Sequence, residues 1–306
     1  MAAPLRLRDA IQILDELFPP GTAESWDAVG LVAGDPEEPV RRVLFAVDPV
    51  AAVVAEAEKW EASLVVTHHP LLLRPVHSVA ATTFKGALVH RLVRAGIALH
   101  VAHTNADSAR GGVAEALAET IGLTDLHPLV PTGVVPGGVI DGGSAVDVLE
   151  LAGLDDPTGI GRVGVLPGAP TLEEFARSVA AALPATAHGV RVAGRLDAPV
   201  RTVAVVGGAG DSLFEAVRAS GADVYVTADL RHHPASEARE RAEFEGGGPA
   251  LVDVSHFASE WPWLARAAEA LRSAAAERGA TVETRVSTLS TDPWSARFDS
   301  PEGTAS

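Results

Sequence analysis

A chain of 306 residues with 47% hydrophobic and 21% charged residues is long enough to bury a sizeable core, and reads as globular. Its formal net charge of −16 argues against a nucleic-acid partner, whose phosphates need a basic face, and suits divalent cations better. Cysteine is absent, which excludes disulfides, thiolate nucleophiles and cysteine-based metal sites; imidazole and carboxylate remain, a donor set that favours Zn, Mn, Fe or Co.

In chain order, residues 7–18 carry apolar side chains at helical spacing and stop at Pro19-Pro20-Gly21. A strand is expected over 40–47, closed by Asp48-Pro49, then a helix over 51–61 and a strand over 64–67. Helix 84–95 stops at Gly96, strand 97–101 follows, and helix 112–121 ends at Gly122. Residues 129–161 are turn-rich and mark a boundary or loop zone. A second unit follows, with helix 171–183, strand 202–206, helix 212–220 and strand 223–227. The last elements are a strand over 251–254, a helix over about 260–278 and a strand over 282–289. This alternation predicts an α/β fold of two α/β domains, with mixed, largely parallel sheets covered by helices. The expected division is 1–127 with 250–295 for one domain, 128–249 for the other, and a disordered tail over 296–306. No run approaches the roughly 18 uninterrupted apolar residues of a membrane span. The N-terminal residues lack a secretory apolar core, so the expected compartment is the cytoplasm.

Three segments break in the same way. Ser63-Leu-Val-Val-Thr-His-His-Pro70, Ala98-Leu-His-Val-Ala-His-Thr-Asn-Ala-Asp107 and Ala250-Leu-Val-Asp-Val-Ser-His-Phe-Ala-Ser-Glu260 each run apolar and then turn to histidine and carboxylate. Open α/β sheets place their chemistry outside the carboxyl ends of strands, so His68, His69, Asp107, His256 and Glu260 are candidates for one shared metal site. Each has a plain rival. A His pair after a strand is as readily two satisfied core or surface histidines, and Asp107 before Ala109-Arg110-Gly111 suits a turn. A lone His-x-x-x-Glu is weak evidence; Ser259 as N-cap and Pro262 in the first turn would leave His256 just outside the helix. His103 is a ligand or supports one, whereas His100 inside its strand is a packing residue. Asp229-Leu-Arg-His-His-Pro234 either lines a pocket or opens a solvated helix. Gly207-Gly-Ala-Gly-Asp-Ser212 joins strand to helix and is a weak phosphate-cradle candidate. Arg74 and Arg110 are possible anion partners or ordinary surface charges.

The motifs Glu24-Ser-Trp-Asp-Ala-Val-Gly-Leu-Val-Ala-Gly-Asp35, Thr67-His-His-Pro-Leu-Leu-Leu-Arg-Pro75 and Ala102-His-Thr-Asn-Ala-Asp107 resemble the GTP cyclohydrolase 1 type 2 family, the NGG-interacting-factor-like proteins. So do Asp223-Val-Tyr-Val-Thr-Ala-Asp-Leu-Arg-His-His233, Val252-Asp-Val-Ser-His-Phe-Ala-Ser-Glu260 and Thr291-Asp-Pro-Trp294, and the likeness spans about 10–294. The resemblance implies two α/β domains, a toroidal homohexamer and two divalent metal ions per subunit facing an inner cavity. Its ligands fall on the same His68, His69, Asp107, His256 and Glu260. The expected partition has Glu260 bridging, His69 and Asp107 on one metal, and His68 and His256 on the other. The implied reaction is hydrolytic opening of the GTP imidazole ring, with a nucleotide substrate and, by position, His103 as proton shuttle. The chain departs from the family in having Ser255 for Gly, Phe257 for Tyr, Ser259 for Thr and Ala228 for Gly, and it lacks room for the inserted domain of longer relatives. Hydrolysis of a phosphoester or amide, or a non-catalytic hexameric metal-binding role, would use the same residues.

Overall fold

The computed structural model describes residues 5–131 and 158–298; most of the turn-rich zone, and 299–306 of the expected tail, lie outside them. A short ribbon pairs β1 (Leu5–Arg6) with β3 (Pro39–Val40). The first main sheet comprises β2 (Gly30–Ala33), β4 (Arg42–Ala46), β5 (Leu64–Thr67), β6 (Ala98–Val101) and β13 (Glu283–Val286), in the order β13-β4-β5-β6-β2. Its strands run parallel except for β2, antiparallel at the edge. The second contains β7 (Thr124–Pro131), β8 (Gly159–Val165), β9 (Arg191–Ala193), β10 (Thr202–Ala209), β11 (Val224–Ala228) and β12 (Ala250–Val254), in the order β7-β8-β10-β11-β12-β9. Here only β10-β11 and β11-β12 are parallel.

Both sheets are buried on two faces, which is why their inner strands read as continuous apolar runs. Val43 and Phe45 of β4 face one core with α1 (Leu7–Leu17), while Leu44 and Ala46 face another with α2 (Ala51–Lys59) and α3 (Phe84–Ala95). In the second sheet Val203 and Val205 pack with α5 (Val113–Thr120) and α6 (Leu172–Ala182). Ala204 and Val206 face the opposite side, with α7 (Phe214–Ser220) and part of α8 (His232–Glu245). The long α9 (His256–Glu277) packs on β4 and β13 of one sheet and on β10 and β11 of the other, with α5 alongside it. These two helices form a layer shared by the sheets.

The chain changes sheets later than the expected break at residue 250. β12 hydrogen-bonds to β11 and β9, so it is the second sheet's strand, and only α9 returns to the first. No helix among the described residues is long and apolar enough to cross a membrane.

Candidate metal centre

The carboxyl ends of both sheets open on one place. His68 and His69 follow β5, His103 and α4 (Thr104–Ser108) follow β6, and His256 follows β12. His69 Nε2 and His256 Nε2, 187 positions apart in the chain, lie 3.2 Å from each other. Glu260, one turn along α9, projects its carboxylate among the imidazoles. Its Oε1 is 2.9 Å from His256 Nε2 and 3.4 Å from His68 Nε2, and Oε2 is 3.1 Å from His69 Nε2. Asp107 Oδ1 completes the group, 3.8 Å from His68 Nε2.

Two local expectations are corrected here. Asp107 sits on the short α4, not in a loop. Ser255, not Ser259, is the N-cap of α9, its hydroxyl accepting from Ala258 N–H at 3.4 Å; His256 is therefore helical and shares a face with Glu260. Ser259 Oγ instead accepts from Gly208 N–H at 2.9 Å and donates to His256 O at 2.7 Å.

Each imidazole is fixed from behind. His68 Nδ1–H donates to Ala102 O at 3.0 Å, His69 Nδ1–H to Asp48 Oδ1 at 2.7 Å, and His256 Nδ1–H to Asp229 Oδ2 at 2.7 Å. An Nδ1 that must donate to oxygen leaves Nε2 as the coordinating atom, the usual arrangement behind a metal-bound histidine. Sequence reasoning passed over Asp48 and gave Asp229 only a pocket or helix-start role. The available signal was position: each follows a buried strand at the same sheet end as the histidines.

The distances group His69 with His256, and His68 with Asp107, around Glu260. This reverses the expected partition of His69 with Asp107 and His68 with His256. Consecutive residues of an extended segment point opposite ways, and β5 lies between β4 and β6. His68 turns towards the end of β6, where Ala102 and Asp107 lie, and His69 towards Asp48 beyond β4.

Electrostatics fit a cation. Burial would raise Glu260, but the charges of His69, His68 and His256 outweigh it and hold the carboxyl well below its usual range. Burial would likewise lower His256, yet Glu260 and Asp229 push it up to about 10. Burial pushes the Asp107 carboxyl up to about 6 despite His68. Glu260 Oε2 is buried and accepts no hydrogen bond, although His69 Nε2 is close. Converging Nε2 atoms, a buried carboxylate oxygen without a donor and an oxygen/nitrogen donor set are what a divalent cation requires. His69, His256 and Glu260 form one metal-competent group, and His68, His69 and His103 another.

His103 caps α4, donates Nδ1–H to Asp27 Oδ1 at 2.9 Å, and packs its ring 5.1 Å from that of His68. Burial, then the neighbouring His68, lower it to about 4, leaving a neutral ring grouped with His68 and His69. His100 is buried in β6, as its place in the strand suggested. The glycine turn is no phosphate cradle: Gly208 N–H is engaged by Ser259, and a Cβ at Gly208 would lie 2.7 Å from Glu260 Oε1. Its glycines let the backbone approach the carboxylate. Beside the cluster opens a cavity of about 550 Å³, lined by His69, His103 and His256 and walled by residues that include Trp294. Asp229 lines it, whereas His232 and His233 are exposed, as are Arg74 and Arg110, and none of these four borders it.

Fold and site together define a two-sheet α/β protein with a buried histidine–carboxylate group able to hold metal. Residues 5–293 match the family model described as Duf34/NIF3 (NGG1p interacting factor 3), and the chain belongs to that family. A Streptomyces coelicolor protein named GTP cyclohydrolase 1 type 2 homolog is 49% identical over 295 residues, 96% of this chain and 95% of that one. A Mycobacterium tuberculosis protein of the same name is 39% identical, covering 95% and 97%. Among solved structures, a Bacillus cereus protein related to NIF3 superposes with a TM-score of 0.81 at 26% identity, covering 96% and 99%. A Staphylococcus aureus hypothetical protein gives 0.81 at 28% identity, covering 96% and 100%.

Proposed function

We propose that this chain is a metal-dependent hydrolase that holds two divalent cations per subunit and opens the imidazole ring of GTP. The observation that carries the reading is the Glu260 carboxylate set among three fixed Nε2 atoms with one oxygen lacking a donor. In this reading Glu260 bridges, His69 and His256 serve one cation, and His68 and Asp107 the other. A divalent pair so held would supply Lewis acidity and would lower the pKa of water at the site. The chain's own part is positional. Asp48, Asp229 and Ala102 O hold three imidazoles in one tautomer, and Asp27 holds His103 with Nε2 free to take up a proton near the cluster. The name carried by the Streptomyces and Mycobacterium relatives supports GTP as the first substrate to try.

Incubating Mn-, Zn- and Fe-loaded protein with GTP, while following guanine absorbance and formate release, tests the reaction. Loss of the guanine band is expected from the ring opening, which adds one water and leaves a formamide, and release of formate reports a second hydrolysis of that formamide. Cleavage of generic phosphoesters without attack on GTP would move the assignment to another hydrolase, and no turnover of either would leave a metal-binding role alone. Glu260→Ala is expected to lose most bound metal by elemental analysis; full occupancy would refute the bridging role. The same reading takes the protein as a homohexamer of its 31.5 kDa chain, which light scattering tests directly.

A further inference from the structure

The cavity beside the cluster is lined by a charged side chain, Lys85, that has no ion pair or hydrogen bond among the described residues. Its acids are engaged: Asp48 accepts from His69 and Thr291, Asp229 from His256, and Asp292 from Ser255 and the Trp294 N–H. His188 on the same wall is bound through Nε2 to Asp253 at 2.9 Å. Lys85 also lines the cavity and is half-buried, yet among the described residues it has no ion pair or hydrogen bond; its ammonium only approaches the Phe84 ring, at 6.0 Å. Lys59 and Lys85 are the only lysines in an acidic chain, so this charge is not the overflow of a basic surface.

Its position is fixed. Lys85 stands in the first turn of α3, where Thr83 Oγ accepts from Gly86 N–H at 3.1 Å. A Cβ on Gly86 would fall 2.0 Å from Ala80 O, so the helix start lies flush against the preceding loop. An unanswered ammonium facing a cation-binding cluster is repelled by whatever the cluster holds, unless an anion joins them. Two positive centres on one cavity favour a multiply charged anion over a single carboxylate, and a lysine meets phosphate as a point charge. The rest of the wall is apolar. Leu73 and Pro293 border it, and Trp294, 68% exposed, offers a ring face without a partner ring among the described residues. Such a face stacks a planar heterocycle. The volume of about 550 Å³ is that of an ordinary small-molecule site.

We propose that Lys85 is the anion-recognition residue of this cavity and that Trp294 stacks the ring, so the site selects a phosphorylated planar heterocycle, a nucleotide, over the neutral nucleoside. The inference rests on the metal-binding reading above, but it concerns recognition and not turnover. The test is titration calorimetry of GTP, GMP and guanosine on Zn-loaded wild type, Lys85→Gln, Lys85→Arg and Trp294→Ala, with the Zn content of every sample measured. Lys85→Gln is expected to weaken GTP and GMP about tenfold, leaving guanosine binding and Zn content unchanged, with Lys85→Arg restoring most of the loss. Trp294→Ala is expected to weaken all three ligands. Equal GTP affinity in wild type and Lys85→Gln overturns the assignment, as does absence of GTP binding to the Zn-loaded wild type. An equal loss of guanosine binding in Lys85→Gln overturns it too, because a recognition residue for the anion would not touch the nucleoside. A protein that binds GTP through Lys85 but never opens its ring supports the recognition and refutes the reaction.

Discussion

His256 lies between two carboxylates, with Asp229 2.7 Å from Nδ1 and Glu260 2.9 Å from Nε2. Their charges overcome burial and keep the imidazolium stable up to about pH 10. Coordination needs the bare Nε2, so a cation must displace that proton. Because the His256 pKa is raised, its proton is present throughout the neutral range, and metal affinity should rise with pH by about tenfold per unit for each proton displaced. Asp107, pushed up to about 6 by burial, holds a further proton below that pH, so the dependence should steepen on the acid side. Zn titrations between about pH 6 and 8, in buffers of different ionisation enthalpy, measure the protons released. Binding independent of pH would remove His256 from the donor set. The members of this cluster were legible because each follows an apolar strand, where a histidine or acid has no structural reason to recur. What the sequence concealed was partnership: an aspartate closing a strand, such as Asp48, reads as a turn former until the fold shows which imidazole it meets.

The end of β10 is the element on which Glu260 leans. The pairing of β10 with β11 shifts register between Val205 and Ala209, and Gly208 takes a φ of +67° there. A side chain at this position is strained by its backbone and would place Cβ 2.7 Å from Glu260 Oε1 and 3.2 Å from His256 Nε2. Gly208→Ala is therefore expected to cost about 1–2 kcal/mol of stability from the left-handed backbone alone. It should also weaken Zn binding at least about tenfold by displacing the carboxylate. Urea unfolding and a competitive Zn titration read the two effects separately, and wild-type affinity would show that Glu260 is positioned from elsewhere. Elements with strong periodicity were legible: the expected strand 64–67 and helix 84–95 coincide with β5 and α3. Others hid for identifiable reasons. β8 reads as a loop because of Gly159, Gly161 and Gly164, yet a Cβ on Gly159 would fall 2.4 Å from Val130 O, so the glycine permits close pairing with β7. α8 buries little beyond Ala242, so its apolar stripe is too faint to mark its extent, although the Asp229-Leu-Arg-His-His-Pro234 segment offered a helix start where the helix begins. The start of α9 was misplaced because Pro262 favours a first turn, whereas the structure holds it farther inside the helix.

Across the whole molecule, the site exists only while two sheets stay docked. β5 and β6 supply His68, His69 and the helix of Asp107; β12 leads into His256; α9 and α5 fill the layer between. The two α/β units were readable from alternating apolar runs, but the shared layer was not, since it depends on contacts between residues far apart in the chain. One buried cation ties the halves together beside Asp107. Arg162 of β8 is 3% exposed; it donates through Nη2 to Ala109 O at 2.9 Å, and through Nη1 to Gly159 O at 2.6 Å and Gly161 O at 2.8 Å. Glu115 Oε2, on α5, lies 3.6 Å from the same guanidinium. Ala109 follows α4 directly, so this one side chain pins the metal-site helix to the second sheet. Arg162→Met keeps most of the apolar stem but removes the guanidinium from Gly159 O, Gly161 O and Ala109 O, while Glu115 keeps Gly111 N–H at 3.1 Å and Arg266 at 3.5 Å. Leaving a buried acceptor without its donor costs about 1–3 kcal/mol, and a loss of that order is expected in the urea midpoint. Loosening of α4 should then lower Zn affinity by weakening Asp107 more than His256, so Asp107→Asn added to Arg162→Met should reduce affinity less than it does in wild type. Strictly additive losses in that double-mutant cycle would mean that Arg162 stabilises the fold without shaping the site.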